Sequence, residues 1–190
     1  MSSQVTISGT ADTSGSRHLL RRWRRDDRGV TALEFGMVAA PFFMMLFGII
    51  GVGLYFFTTF TLENAVEQAS RLLRTGQAQQ ANMTAAQFKT KVCELVPGHI
   101  DCVGKLKVNV KSFDDSDDIT PASLPRCLDG SGNLSATNEF TPGGASKVVL
   151  VWVCYEWEFA KSIPFLNFSD MSSGSRLIQA TTTFRTEPYN

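Results

Sequence analysis

The chain has few residues of the kinds that enzymes and nucleic-acid-binding proteins depend on. Among its 190 residues there are two histidines, His18 and His99, and no glycine-rich loop of the kind that holds phosphate groups. The acidic segment Asp114–Asp118 lacks the glycine that an EF-hand calcium loop requires, so we expect a solvated turn there. The formal net charge is zero, which argues against a broad basic surface that would neutralise nucleic-acid phosphates. We therefore expect a non-enzymatic protein without a cofactor, a metal, a small-molecule substrate or a nucleic-acid partner.

Charged residues are also absent from Phe35 to Phe60, a run longer than the roughly 20 residues that a helix needs to span a bilayer. A core helix of a soluble protein is rarely uncharged over such a length. An ordinary secretory signal has a shorter apolar region, followed by a cleavage site with small residues. We therefore predict a single membrane-spanning helix, with the span at about residues 35–60.

Basic residues precede this apolar run and determine its predicted orientation. The arginines that flank it most closely are Arg21, Arg22, Arg24, Arg25 and Arg28. Basic flanks tend to stay in the cytoplasm, whereas the segment on the other side of the span is exported. We therefore expect a cytoplasmic N-terminus and an extracytoplasmic C-terminal part.

The apolar run continues into an amphipathic segment, so the helix is predicted to leave the membrane without a break. Apolar residues occur there at helical spacing, namely Leu62, Ala65, Val66, Ala69, Leu72 and Leu73. Gly76 is a suitable helix terminator. These patterns predict an arginine-rich leader over residues 1–29, a long helix over 30–76 and an extracytoplasmic domain over 77–190.

The predicted domain contains one short helix and about three strands. A capping-box pattern at residues 84–87 precedes Phe88 and Val92, which share one helical face. Alternating patterns predict three strands, at residues 105–111, 147–159 and 176–185. The first strand is expected to have one face in water, and the second to be a central strand with Phe159 on the same face as Val149, Val151, Val153, Tyr155 and Trp157. Helices followed by strands predict an α+β fold with an antiparallel sheet.

The residues at the start of the long helix form a recognisable motif. They read Arg28, Gly29, Val30, Thr31, Ala32, Leu33, Glu34 and Phe35. This segment resembles the processing site of the Tad (Flp) branch of type IV pilins and of TadE-like pseudopilins, in which a leader ends in Gly and the fifth mature residue is Glu. The resemblance implies that a prepilin peptidase of the bacterial inner membrane cuts between Gly29 and Val30. It also implies a pilin-like fold.

The spacing of this motif has a physical meaning of its own. Cleavage would leave a cationic amine on Val30, one helical turn from the Glu34 carboxylate. A carboxylate near lipid is costly unless it is paired, so an amine of the same or a neighbouring subunit is the expected partner. Alternatively, Glu34 marks the polar edge of an ordinary membrane helix.

Two departures from the major pilins refine what the resemblance implies. Phe35 stands where major pilins commonly carry Tyr, and the chain is far longer than the short major pilin. Both favour a minor, pilin-like assembly component, whose implied partners are the prepilin peptidase, other pilin or pseudopilin subunits and the Tad assembly machinery. The alternative is a membrane-tethered binding domain that is neither cut nor assembled.

The four cysteines all follow the membrane helix, on the side expected to be oxidising, so disulfides are favoured. Three pairings are possible, and we expect Cys93 with Cys102 and Cys127 with Cys154. A zinc site that uses Cys93, His99 and Cys102 would have an atypical spacing. A thiol enzyme that uses His99 would lack a residue to orient it.

Overall fold

The computed structural model describes residues 28–121, 124, 126–136, 138–162 and 168–189. The chain divides into two compact units, residues 1–45 and 46–190. The described part of the first unit is entirely helical, and almost all of its side chains are exposed. The second unit contains the rest of the same helix and the whole α+β domain. Of the predicted leader, residues 1–27 lie outside the described residues.

Helix α1 spans Arg28–Arg74, beginning at the first described residue, and it ends two residues before the predicted bound at residue 76. Gly76 lies just beyond it with a φ of 78°, in the left-handed region that favours glycine. The Gly76 N–H donates to the Leu73 carbonyl oxygen at 3.2 Å, which closes the last turn. Gly76 therefore stops the helix, as the sequence predicts.

Three short helices follow, namely α2 (Gln77–Gln80), α3 (Ala85–Leu95) and α4 (Cys102–Lys105). The predicted capping box begins α3, because the Thr84 hydroxyl accepts the Gln87 N–H at 3.3 Å and the Gln87 side chain accepts the Thr84 N–H at 2.8 Å. Phe88 and Val92 are fully buried on the inner face of α3. The capping box therefore fixes both the start of α3 and the face that it buries.

The sheet contains the strands β1 (Leu106–Phe113), β2 (Phe140–Thr141), β3 (Val148–Trp157) and β4 (Arg176–Arg185), in the order β2-β1-β3-β4. The three long strands are antiparallel, and the α+β class is confirmed. The expectation of a purely antiparallel sheet is wrong, because β2 pairs with β1 in parallel. A two-residue strand is too short to show alternation, and the long connection before it allows the crossover that parallel pairing needs.

One apolar core joins the second half of α1 to the sheet. Leu62, Val66, Ala69 and Leu73 are buried in the same cluster as the alternate residues of the strands. Those strand residues are Leu106, Val108, Val110, Val149, Val151, Val153, Ile178 and Ala180. The Thr182 hydroxyl also donates to the Glu67 carboxylate at 2.8 Å, which links β4 to the helix. The amphipathic segment of the helix is therefore part of the domain core.

The face of β1 that was predicted to lie in water is only partly exposed, because Lys107 and Lys111 are half-buried and Asn109 is buried. Asn109 and Cys154, on the face turned away from α1, are both buried. The Asn109 side-chain oxygen accepts the Glu139 N–H at 3.0 Å, so this polar group is satisfied. The Cys127–Cys154 disulfide fixes the Cys127 loop over the same face. Loops therefore cover part of the side of the sheet that the lysines of β1 suggested was solvated.

The second predicted strand ends two residues earlier than expected. β3 stops at Trp157, and Glu158–Ser162 forms a turn of 3-10 helix. The period-two alternation stops with the strand, so Phe159 is 46% exposed and does not share the burial of Trp157.

Candidate processing site and membrane helix

The predicted cleavage site lies at the start of the described part of α1. Arg28 is the first described residue and is already helical, so the Gly29–Val30 peptide bond lies within the helix. Arg21, Arg22, Arg24 and Arg25 of the predicted topology signal lie outside the described residues.

Val30 and Glu34 lie one turn apart on the same side of α1. Both side chains are exposed, and so is the neighbouring Phe35, at 72%. Among the residues that the structure describes, none forms a hydrogen bond or an ion pair with Glu34. The geometry leaves the Glu34 carboxylate open to a group from outside this part of the chain.

The apolar segment that follows is long and apolar enough to cross a membrane. An 18-residue window within Val30–Arg74 has a mean hydropathy of 2.2, and 6% of that window is buried. A signal sequence near the N-terminus would meet the same criterion of length and composition. The low burial separates this helix from the core helix of a soluble protein, because such a helix covers its apolar side chains with protein.

The domain covers one side of α1 from about Tyr55 onward. Tyr55 packs edge-on against Trp157, with 5.7 Å between ring centroids, and the Arg176 guanidinium lies 5.6 Å from the Tyr55 ring centre. Thr58 is buried, and its hydroxyl donates to the Leu54 carbonyl oxygen at 2.8 Å. The helix therefore packs against the domain from about Tyr55 onward, and the described residues before Tyr55 do not belong to the domain core.

A groove of about 380 Å³ opens beside this junction. Its walls combine apolar and charged side chains, and we call the surface around it the proximal rim, defined by Phe57, His99, Lys105, Trp157, Glu158 and Phe159. The His99 ring stacks on Phe57, with centroids 5.5 Å apart, and Trp157 lies 5.7 Å from Phe159. The histidine that the sequence offered as a catalytic candidate therefore packs against an aromatic ring.

The charges of the proximal rim neutralise one another. A hydrogen bond from Lys105 holds the pKa of the Glu158 carboxyl below its usual value, and the same bond raises the pKa of Lys105. Asp101 also lies 3.7 Å from the Lys105 Nζ, and Lys161 lies 3.5 Å from Glu158. Two carboxylates therefore face two ammonium groups within this surface.

The cysteines pair as expected from the sequence, Cys93 with Cys102 and Cys127 with Cys154. The first disulfide links the end of α3 to the start of α4, and the second links the Cys127 loop to β3. Because both sulfurs of Cys93 and Cys102 are in a disulfide, they are not thiolates for the zinc site considered above. The Trp152 indole N–H also points at the Cys127 sulfur, at 3.1 Å.

The acidic turn after β1 uses its carboxylates locally. Asp115 accepts the Ser116 N–H at 2.7 Å and caps the 3-10 turn Ser116–Asp118. Asp114 pairs with Lys147 at 2.5 Å, and this hydrogen bond lowers the pKa of the Asp114 carboxyl. In the described residues no cluster of His, Cys, Asp and Glu has the arrangement of a metal site.

Sequence reasoning did not identify the proximal rim. Its residues come from α1, the turn before α4 and the end of β3, which are up to about a hundred positions apart. The only local signal was the aromatic pair Trp157 and Phe159, which we interpreted as part of a strand. Spacing along the chain could not bring these residues together.

These features define a membrane-associated protein in which one apolar N-terminal helix continues into a small α+β domain. Comparison with protein families gives a more specific result. The family model described as TadE-like protein matches residues 29–71. This segment of the chain is therefore similar to TadE-like proteins, a family associated with the Tad pilus. Comparisons with curated proteins and with solved structures give no match.

Proposed function

We propose that this protein is a minor pilin-like structural component in the assembly of a bacterial Tad (Flp) pilus, cut by a prepilin peptidase between Gly29 and Val30. The observation that carries the proposal is where the family match lies. It begins at residue 29, at the expected cleavage site, and ends at residue 71, within the same helix. The segment that resembles the family is thus the segment that processing would leave at the new N-terminus.

The proposed orientation follows from charge and from the cysteines. The arginine-rich leader would stay on the cytoplasmic face of the inner membrane, and the domain would lie outside it. The two disulfides in the domain support an extracytoplasmic location for it, because disulfides persist in oxidising compartments. The domain would then be available to other pilin subunits and to the assembly machinery on the extracytoplasmic side.

The proposed role of Glu34 is to hold a new N-terminal amine. After cleavage, the Val30 amine would carry a positive charge one turn from the Glu34 carboxylate, at the edge of the apolar segment. A carboxylate there is expensive unless it is paired. Pairing with the amine of a neighbouring subunit would set the axial position of one helix against the next.

A structural role accounts for the residues that an enzyme would otherwise use. The four cysteines are consumed in two disulfides, and His99 stacks on Phe57. We propose that the domain is not catalytic. Replacing His99 with Ala should therefore leave pilus assembly unaffected, apart from any small loss of stability.

The test of the proposal is the variant Glu34→Ala in cells that assemble the pilus. We expect normal membrane insertion and a loss of pilus assembly, measured by the yield of sheared filaments. The matched control is Glu63→Ala, which removes an exposed glutamate from the same helix beyond the apolar segment. Normal filament yield with Glu34→Ala would contradict the proposal.

The second candidate is a membrane-tethered binding domain that is neither cut nor assembled. The groove beside Tyr55 is the observation that favours it. A tether should be indifferent to Glu34, so the same pair of variants separates the two functions.

A further inference from the structure

The two ends of the sheet lie beside different parts of α1. At one end, Trp157 pairs with Arg176 and contacts Tyr55 of the helix. At the other end, the chain leaves β4 and the Glu187 N–H donates to the Arg74 carbonyl oxygen at 2.8 Å. Because Tyr55 lies in the last part of the uncharged segment Phe35–Phe60 whereas Arg74 lies beyond it, the end with Trp157 is the one closest to the membrane-spanning part of the helix.

Exposed aromatic side chains gather at this end. Phe56, Phe57 and Phe60 of α1 are each about half exposed, and Phe159 is 46% exposed at the end of β3. Trp157 and Tyr55 are farther from solvent than these phenylalanines, and their rings are in contact. Phenylalanine rings are wholly apolar, so exposed ones beside a membrane span are favoured where they reach the acyl chains, and tyrosine and tryptophan are typical of the boundary between lipid tails and headgroups.

We propose that the proximal rim rests on the phospholipid bilayer, with Phe57 and Phe159 at the boundary between acyl chains and headgroups. The protein would then contact the membrane twice, through its helix and through one edge of its domain. This inference goes beyond the proposed function, because it requires membrane insertion but neither cleavage nor pilus assembly.

The length of the helix supports placing the proximal rim at the boundary between acyl chains and headgroups. Phe35–Leu54 comprises about 20 residues, which at about 1.5 Å per residue span about 30 Å, the thickness of a bilayer's hydrocarbon core. Residues from Tyr55 onward would lie in the headgroup layer, where the domain begins to cover the helix. In this arrangement the membrane span would be shorter than residues 35–60, because Thr58 is buried by protein.

The charges of the rim suit a lipid surface. Lys105 and Lys161 pair with Glu158, and Lys105 also lies near Asp101. Paired charges cost less to bring into a partly dehydrated layer than isolated ones. The apolar surface of the helix also continues through Leu54 and Phe57 into the proximal rim. The helix and the rim would therefore present one continuous apolar surface to the lipid.

The test uses the full chain in phospholipid vesicles, with a nitroxide on one introduced cysteine and the four native cysteines left in their disulfides. The labelled variants are Phe159→Cys on the rim and, as a control, Ser116→Cys in the exposed turn beyond the far end of β1. Collision with oxygen, which concentrates in lipid, is compared with collision with a water-soluble nickel complex. We expect the oxygen-to-nickel ratio at position 159 to be several-fold higher than at position 116.

Two outcomes would overturn the proposal. Equal ratios at the two positions would place the rim in water. Protection of position 159 from both reagents, with spin–spin broadening that disappears on dilution with unlabelled protein, would show that a second copy covers it. If Phe159→Cys loses its native disulfides, the exposed neighbour Lys161→Cys reports on the same surface, and the same two outcomes apply.

Discussion

Glu34 and Lys105 are charged residues next to apolar surfaces, and they differ in how their charge is compensated. Lys105 has its partners within the domain, Glu158 and Asp101. Glu34 has none among the described residues, which fits a carboxylate whose proposed partner is created by cleavage. The contrast supports a structural role for Lys105 within the domain and agrees with the role in assembly proposed for Glu34.

The pairing of Lys105 with Glu158 predicts a change in acid titration. Lys105 lowers the folded-state pKa of Glu158, so the stabilisation from this pair is present at neutral pH and is lost as the pH falls through that lowered value. The variant Lys105→Met should raise the Glu158 pKa toward its ordinary value. An NMR titration of the Glu158 carboxyl carbon measures this, with Lys91→Met, which disrupts the pair with Glu94, as the control. An unchanged Glu158 pKa would show that Lys105 does not hold the carboxylate.

Gly76 predicts a backbone effect at the end of α1. Its φ of 78° costs an alanine about 1–2 kcal/mol, and a Cβ atom there would also overlap the Tyr189 ring. Gly76→Ala should therefore lower the free energy of unfolding by at least this amount. The control is Gly104→Ala, where a Cβ atom meets nothing and the residue is helical. Denaturant unfolding in detergent should show a loss for Gly76→Ala alone, and equal stabilities would contradict this account of the helix end.

At the scale of elements, the two disulfides should contribute unequally. They close loops with sequence separations of 9 and 27 residues. In the chain-entropy model these loops correspond to about 2.5 and about 3.5 kcal/mol of stabilisation. The double variant Cys127→Ser/Cys154→Ser should therefore be less stable than Cys93→Ser/Cys102→Ser in denaturant unfolding. The reverse order would show that local packing outweighs loop closure here.

The elements that the sequence predicted well are those with strong local signals. The long helix, the capping box of α3 and the last strand at Arg176–Arg185 depend on periodicity and capping, which neighbouring residues determine. The two-residue strand β2 and the burial of Asn109 depend on the return of a distant loop to β1. No local pattern encodes that return, so these features could not be predicted.

The same division applies to the candidate sites. Gly29, Val30 and Glu34 could be predicted as a processing site because their motif is contiguous, and the segment similar to TadE-like proteins includes them. The proximal rim combines residues from three separate segments, so it emerged only from the fold.

At the scale of the whole molecule, the chain combines an apolar helix, a domain built onto the second half of that helix, and a short segment at its start that resembles a processing site. The domain core includes Leu62 to Leu73 of the helix, so the helix and the domain fold as parts of one structure. Removing the leader at Gly29 would leave that core intact, because the described core residues all follow Thr58 in the chain. Processing is therefore compatible with a folded domain.

The most direct test of the account is the N-terminal sequence of the protein extracted from the membranes of cells that contain a prepilin peptidase. We predict that the mature chain begins at Val30, and that the same protein from cells without the peptidase retains its leader. A chain that begins at Met1 in cells with an active peptidase would contradict the account.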